Sequence, residues 1–205
     1  MPKVAILDLG IGNIKSVYNA SKIYEDNVII VENAEELYNV KPDKIILPGV
    51  GAVGEAIKEM RKRGFEKCLN DMVIKNQVNF LGICLGMQIL AEECHEFGNF
   101  KGLGWIKGQV KALKKNNNLK VPHVGWNSIK ILKNEKNILS DLNNKDFYFT
   151  HSYALECDEK YILSKTYYGY DFVSSIKYNN IYGVQFHPEK SAKDGEMVFR
   201  RFMAL

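Results

Sequence analysis

Short apolar runs alternate with segments of helical period through the first half of the chain. Lys3-Val-Ala-Ile-Leu-Asp8, Val28-Ile-Ile-Val31, Lys44-Ile-Ile-Leu-Pro48 and Gln77-Val-Asn-Phe-Leu-Gly-Ile83 have the length and composition of buried strands. Between them, Asn13 to Tyr24 carries Ile14, Val17, Tyr18 and Ile23 near a helical period. Helices are also expected around Val53 to Arg63, Phe65 to Lys75 and Leu85 to about Cys94. A βαβα order predicts a parallel sheet with helices on both faces. After Gly102 the pattern changes to alternation, at Trp105 to Leu113 and near 127–133, 147–157, 161–167, 172–178 and 181–187. Turn signals such as Asn179-Asn180 separate these runs, so the second half is expected to be β-rich and antiparallel. A last helix runs from about Gly195 to Met203. Without a repeat or a long linker, the expectation is one α/β domain over residues 1–205, with an open, mixed, mostly parallel sheet.

Composition removes several function classes. With 46% hydrophobic and 25% charged residues the chain reads as a soluble globular protein. No apolar run approaches the roughly 18 residues of a membrane span, and Met1-Pro-Lys-Val lacks the pattern of a signal peptide, so the cytoplasm is expected. The net charge of +4 is mild. Its densest cationic cluster, Lys114 to Lys120, has no interleaved aromatics and reads as a solvated loop rather than a nucleic-acid site. The four cysteines and four histidines show no metal-ligand spacing. Neither metal nor cofactor is expected, and Cys68, Cys94 and Cys157 read as small buried hydrophobes. A dinucleotide fingerprint beginning at Gly10-x-Gly12 fails at Lys15, where the third glycine belongs.

Gly82-Ile-Cys84-Leu-Gly86 is the most informative stretch for chemistry. A nucleophile on a sharp strand-to-helix turn needs small residues two positions to either side. The turn places the thiol at a helix N-terminus, which favours negative charge by about 0.3–1 kcal/mol, and lets the Leu85 N–H face an oxyanion. A nucleophilic thiol needs a base, and the base an orienting group. His187-Pro188-Glu189 ends an extended run, in which residues i and i+2 project to one side, so Glu189 is expected to orient His187. Pro48-Gly49-Val50-Gly51 follows the third strand, and its glycines let the backbone approach a ligand. A Val50 N–H beside the Leu85 N–H would complete an oxyanion hole.

These three motifs, in this order, resemble those of the class I (triad) glutamine amidotransferases. Asp8-Leu-Gly-Ile-Gly-Asn13, Val121-Pro-His-Val-Gly-Trp-Asn127, Tyr148-Phe-Thr-His-Ser-Tyr153 and His187-Pro-Glu-Lys-Ser191 resemble more narrowly the glutaminase subunits of imidazole glycerol phosphate synthases. The resemblance covers the whole chain and implies the flavodoxin-like fold of that family. It implies that Cys84 attacks the amide of L-glutamine, that His187 passes the proton to ammonia, and that Glu189 orients His187. Gln88 and Glu96 are implied to hold the amino-acid end of glutamine, and the backbone of His151, Ser152 and Tyr153 its carboxylate side. Asn13, Trp126 and Lys190 match positions that meet a (β/α)8-barrel synthase subunit in a heterodimer. That partner would take the ammonia to form imidazole glycerol phosphate and an aminoimidazole carboxamide ribonucleotide, a step of histidine biosynthesis. Leu9 departs from the family's usual Tyr. Two alternatives therefore stay open here: a paralogous glutaminase feeding a nucleotide-sugar amidotransferase, and a solitary cysteine hydrolase.

Overall fold

The computed structural model describes residues 2–114, 119–133 and 135–205. The expected solvated loop at 114–120 falls mainly on residues 115–118, outside the described residues. In chain order the elements are β1 (Val4–Leu7), α1 (Ile14–Lys22), β2 (Val28–Val31), α2 (Ala34–Val40), β3 (Lys44–Leu47), α3 (Val53–Lys62), α4 (Phe65–Leu69) and β4 (Asn79–Ile83). There follow α5 (Leu85–Gln88), β5 (Ala91–Cys94), β6 (Phe100–Lys101), β7 (Ile106–Ala112), β8 (His123–Ser128), β9 (Lys130–Ile131), β10 (Asp146–His151) and β11 (Tyr153–Cys157). The chain closes with β12 (Ile162–Tyr167), β13 (Asp171–Tyr178), β14 (Ile181–Val184) and α6 (Ala192–Met203).

The main sheet has the order β2-β1-β3-β4-β14-β13-β12-β9. It is parallel from β2 to β14 and antiparallel beyond. Both faces are covered, as the unbroken apolar runs predict. In β1, Ala5 and Leu7 enter one core with α2, α3 and α4, while Val4 and Ile6 enter the other with α1 and α6. The first core also includes the second sheet, β11-β7-β5-β6. There Trp105 meets Phe80 edge-on at 5.2 Å, and its indole N–H donates to Asn70 Oδ1 at 2.8 Å. Phe147, Phe149, Phe186, Phe199 and Phe202 fill the second core.

Local signals explain the first helices. Asn13 caps α1 by accepting from the Ser16 N–H. α2 is absent from the sequence reading, yet its start is written in Asn33 and Glu36. Asn33 Oδ1 accepts from the Glu36 N–H at 3.0 Å, while Glu36 reaches back to the Glu32 N–H at 2.7 Å.

The helix expected from Leu85 to Cys94 is corrected to one turn. α5 ends at Gln88, and residues 91–94 form a strand parallel to β7. A register shift between Ala91 and Glu93 buries Ala91 and Cys94 and exposes Glu92 and Glu93. This bulge imitates helical spacing in the sequence. Gly102 makes the crossing possible: a Cβ there would stand 2.2 Å from the Ala91 carbonyl oxygen.

Candidate active site

The carboxyl ends of β3 and β4 meet at a cavity of about 320 Å³ lined by residues 50–51, 84–85, 88, 96, 122 and 150–153. α/β sheets bind ligands at such strand ends. Cys84 links β4 to α5 with φ +53° and ψ −103°. A non-glycine residue there stores about 1–3 kcal/mol of strain and persists only where its surroundings enforce it. The Cys84 N–H donates to the Val184 carbonyl at 2.7 Å, and the Cys84 carbonyl accepts from the Met87 and Gln88 N–H groups. The flanking glycines are steric necessities. A Cβ on Gly82 would lie 2.5 Å from the Gly86 oxygen, and one on Gly86 only 1.8 Å from the Leu47 oxygen. Because α5 is a single turn, the dipole argument for the thiol rests on its first N–H groups alone.

His187 is 1% exposed, and its Nδ1 lies 2.8 Å from Glu189 Oε1. The pairing was expected from an extended chain, and that reason is corrected. β14 ends at Val184, and Pro188–Lys190 is a 3-10 turn. The turn is pinned from outside: the His187 N–H donates to the Tyr148 carbonyl at 2.8 Å. The Ser191 hydroxyl donates to the His187 carbonyl at 2.6 Å and accepts from the Tyr148 N–H at 3.0 Å. Nδ1 must carry a proton to meet the carboxylate, so Nε2 is the free nitrogen, and it has no partner among the described residues. Burial opposes protonation of His187, but the neighbouring Cys84 thiol and the Glu189 carboxylate outweigh it and raise the pKa to about 10.

The expected oxyanion hole is not assembled in this conformation. The Leu85 N–H donates to the Gly49 carbonyl at 3.4 Å, so that oxygen occupies the position expected for the Val50 N–H. Val50 N lies instead on the Gly12 side, where a Cβ on Gly12 would approach it to 3.1 Å. Glycines at 12, 49 and 51 surround this peptide and leave it room to turn.

Gln88 lines the cavity with a fixed amide. Its Nε2 donates at 3.0 Å to both the Tyr153 carbonyl and Gln185 Oε1, which leaves its Oε1 unengaged by these bonds. Gln185 Nε2 in turn lies 3.5 Å from Cys84 Sγ. Sequence reasoning missed Gln185; only its place directly before Phe186-His187 hinted at it. Glu96 also lines the cavity and accepts the Val53 N–H at 2.6 Å, the first amide of α3. Burial raises its pKa against that bond. The segment His151-Ser152-Tyr153 forms the opposite wall.

A profile described as glutamine amidotransferase class-I matches residues 5–205. The chain belongs to the class I glutamine amidotransferase family. It is 46% identical over 204 residues to "Imidazole glycerol phosphate synthase subunit HisH" of Methanocaldococcus jannaschii, covering 98% of this chain and 99% of that one. It is 43% identical over 202 residues to "Imidazole glycerol phosphate synthase subunit HisH 2" of Vibrio vulnificus, covering 98% and 94%. A solved structure named only as a glutamine amidotransferase matches with TM-score 0.76 at 20% identity over 98% of this chain and 97% of that one. PurLQS of Thermotoga maritima matches with TM-score 0.72 at 16% identity over 99% and 98%. These two likenesses speak for the fold alone.

On this amidotransferase chain the remaining expected residues lie outside the cavity. Trp126 is 55% exposed, so simple core packing does not account for it. It meets Tyr148 at 6.2 Å, and Lys190 Nζ lies 5.7 Å from the same ring. Asn13 starts α1, which packs on the turn holding Lys190. Tyr148, which the sequence reading named in a motif but gave no role, thus lies between Trp126 and Lys190 on that face. No helix among the described residues is long and apolar enough to cross a membrane.

Two further histidines are buried here, His151 in the cavity wall and His123 against it. Burial holds the pKa of His123 down to about 4 and that of His151 to about 3, with His123 and His187 adding repulsion at His151. Between pH 6.5 and 4 the unfolded chain therefore binds protons that the folded chain refuses, so stability falls as pH falls. Each histidine contributes a slope of about 1.4 kcal/mol per pH unit there. His187 acts oppositely: the folded state keeps its proton from pH 6.5 to about 10, so its contribution is lost as pH rises through that range. From these three groups, stability is expected to peak near pH 6.5. Urea midpoints from pH 4 to 10 test this, and a flat profile below pH 6.5 would contradict it.

Proposed function

We propose that this chain is the glutaminase subunit of an imidazole glycerol phosphate synthase. The reading is carried by one arrangement: Cys84 on a strained turn at the cavity, with its sulfur neighbouring His187, which Glu189 holds at 2.8 Å. Relatives of 43% and 46% identity over nearly the full chain, named as subunits of that synthase, support the histidine pathway over a nucleotide-sugar amidotransferase or a solitary hydrolase.

In this reading the Cys84 proton passes to His187 Nε2 and the sulfur attacks the side-chain carbonyl carbon of glutamine. The C–N bond breaks as His187 Nε2 gives its proton to the leaving nitrogen, releasing ammonia and leaving a glutamyl thioester. His187 then takes a proton from water, hydroxide attacks the thioester, and glutamate leaves as the thiol is restored. Gln88 Oε1 and Glu96 suit an α-ammonium, and the 151–153 backbone suits the α-carboxylate. The ammonia passes to a (β/α)8-barrel synthase subunit docked over Asn13, Trp126, Tyr148 and Lys190. Co-purification should return that synthase, with glutamate released in step with ring closure. A partner of another class, or full glutaminase rate without one, would defeat the assignment.

Turnover requires the Gly49–Val50 peptide to rotate, withdrawing the Gly49 oxygen from the Leu85 N–H and presenting the Val50 N–H. Val50→Pro deletes that donor without removing a resting hydrogen bond to any described residue, since the Val50 N–H has none among them. Glutamine turnover should fall by about 10²–10³ with folding intact; unaltered kcat would rule out this donor. Glu189→Gln should slow hydrolysis less than His187→Ala, because the base survives when only its orientation is weakened. Equal losses in steady-state kinetics would contradict the roles assigned.

A further inference from the structure

From the wall of the glutamine cavity runs a chain of hydrogen bonds, buried at its centre, whose polarity is fixed at one end. His151 Nδ1 lies 2.8 Å from the Tyr153 carbonyl, which can only accept, so Nδ1 carries the proton. His151 Nε2 is then the acceptor, and His123 Nδ1, 3.1 Å away, must donate to it. His123 Nε2 is left as an acceptor facing Asn127 Nδ2 at 3.5 Å, whose other hydrogen goes to the Tyr167 carbonyl at 2.9 Å. Each group thus has one assignable role. Adding a proton to His151 would set two donors against each other at 3.1 Å, and adding one to His123 would set its Nε2 against the Asn127 amide nitrogen at 3.5 Å.

The His123 ring lies between Tyr168 and Phe149, with ring centroids at 4.0 and 5.0 Å. His187 is the charged neighbour that acts on His151. At the cavity end, the Tyr153 carbonyl that receives His151 also receives Gln88, and Gln88 holds Gln185 beside Cys84 Sγ. The path therefore runs from β8 to the nucleophile through partners that each have one orientation.

We propose that His123 and His151 are positioning residues of the glutamine site, locked as neutral, Nδ1-protonated imidazoles that hold the Tyr153 carbonyl and through it the Gln88 amide. The proposal rests on the glutaminase reading for its substrate, but not for its hydrogen-bond assignment. His123→Phe keeps the stacked ring and removes the donor to His151. His123→Asn returns an N–H near the position of Nδ1. In the complex with the synthase subunit, His123→Phe should raise KM for glutamine on the order of tenfold, the loss of about one buried hydrogen bond. kcat should stay within about threefold, and His123→Asn should recover most of the KM. A merely structural role would lower the active fraction without this split or recovery.

Nitrogen NMR of the wild-type chain at pH 7.5 should find both rings neutral with the proton on Nδ1, a measurement that needs no variant to fold. An unchanged KM in His123→Phe, no recovery in His123→Asn, or an Nε2-protonated ring at either position would overturn the proposal. A wild-type complex without glutaminase activity would instead sink the functional reading, and the tautomer measurement would still decide the histidine pair.

Discussion

Cys84→Ala should abolish glutamine hydrolysis while the synthase complex still closes its ring when supplied with ammonium salts. The thiol is the only nucleophile proposed to attack the amide, and neither His187 nor Glu189 can replace it. Loss of covalent catalysis by a triad member leaves only binding and oxyanion contributions, so the expected decrease is at least about 10³-fold. Ammonia-dependent turnover separates this from unfolding, because it needs an assembled partner but no thioester. The substitution removes only the sulfur: the Cβ stays at the same strained φ of +53°, and the glycine neighbours are unaltered. Loss of both activities would mean that Cys84 holds the turn rather than performing chemistry.

Gly86→Ala should be the most damaging single-methyl change in the chain. A Cβ there would sit 1.8 Å from the Leu47 carbonyl oxygen and 2.9 Å from its carbon, both backbone atoms of β3. Side chains can yield by rotating, but a central parallel strand paired on both sides cannot. Relief requires α5 to lift from β3, which moves Cys84 and empties core around Met87. Overpacking of this kind costs about 3 kcal/mol or more, or a fall in Tm of about 6–12 °C for a chain of this size. Gly183→Ala is the comparison, since its Cβ would meet only the side chains of Ile176 and Met87 at 2.8 Å. If thermal denaturation finds the two variants equally stable, the backbone clash is not the limiting contact.

The first four strands, the parallel half of the sheet and the two glycines around Cys84 were legible in the residues because each is a local matter. Strand length, helix period and the absence of a Cβ act within a few positions. The same holds for the His187–Glu189 pair, although its reason was misjudged: a tight turn joins them, and Tyr148 and Ser191 hold that turn from distant positions. The helix expected from Leu85 to about Cys94 stops at Gln88. Ala91 to Cys94 obeys helical spacing, yet it pairs with β7 across a bulge that no local rule discloses.

Side-chain type and spacing thus determined which groups this chain brings to its chemistry. Tertiary structure alone decided their states. It turned the Gly49 carbonyl toward Leu85, set Gln185 against the thiol, and kept two of three clustered histidines neutral while charging the third. The physical reason is that peptide orientation, tautomer and charge depend on atoms packed from remote segments, where burial removes water and each donor must find its one remaining acceptor.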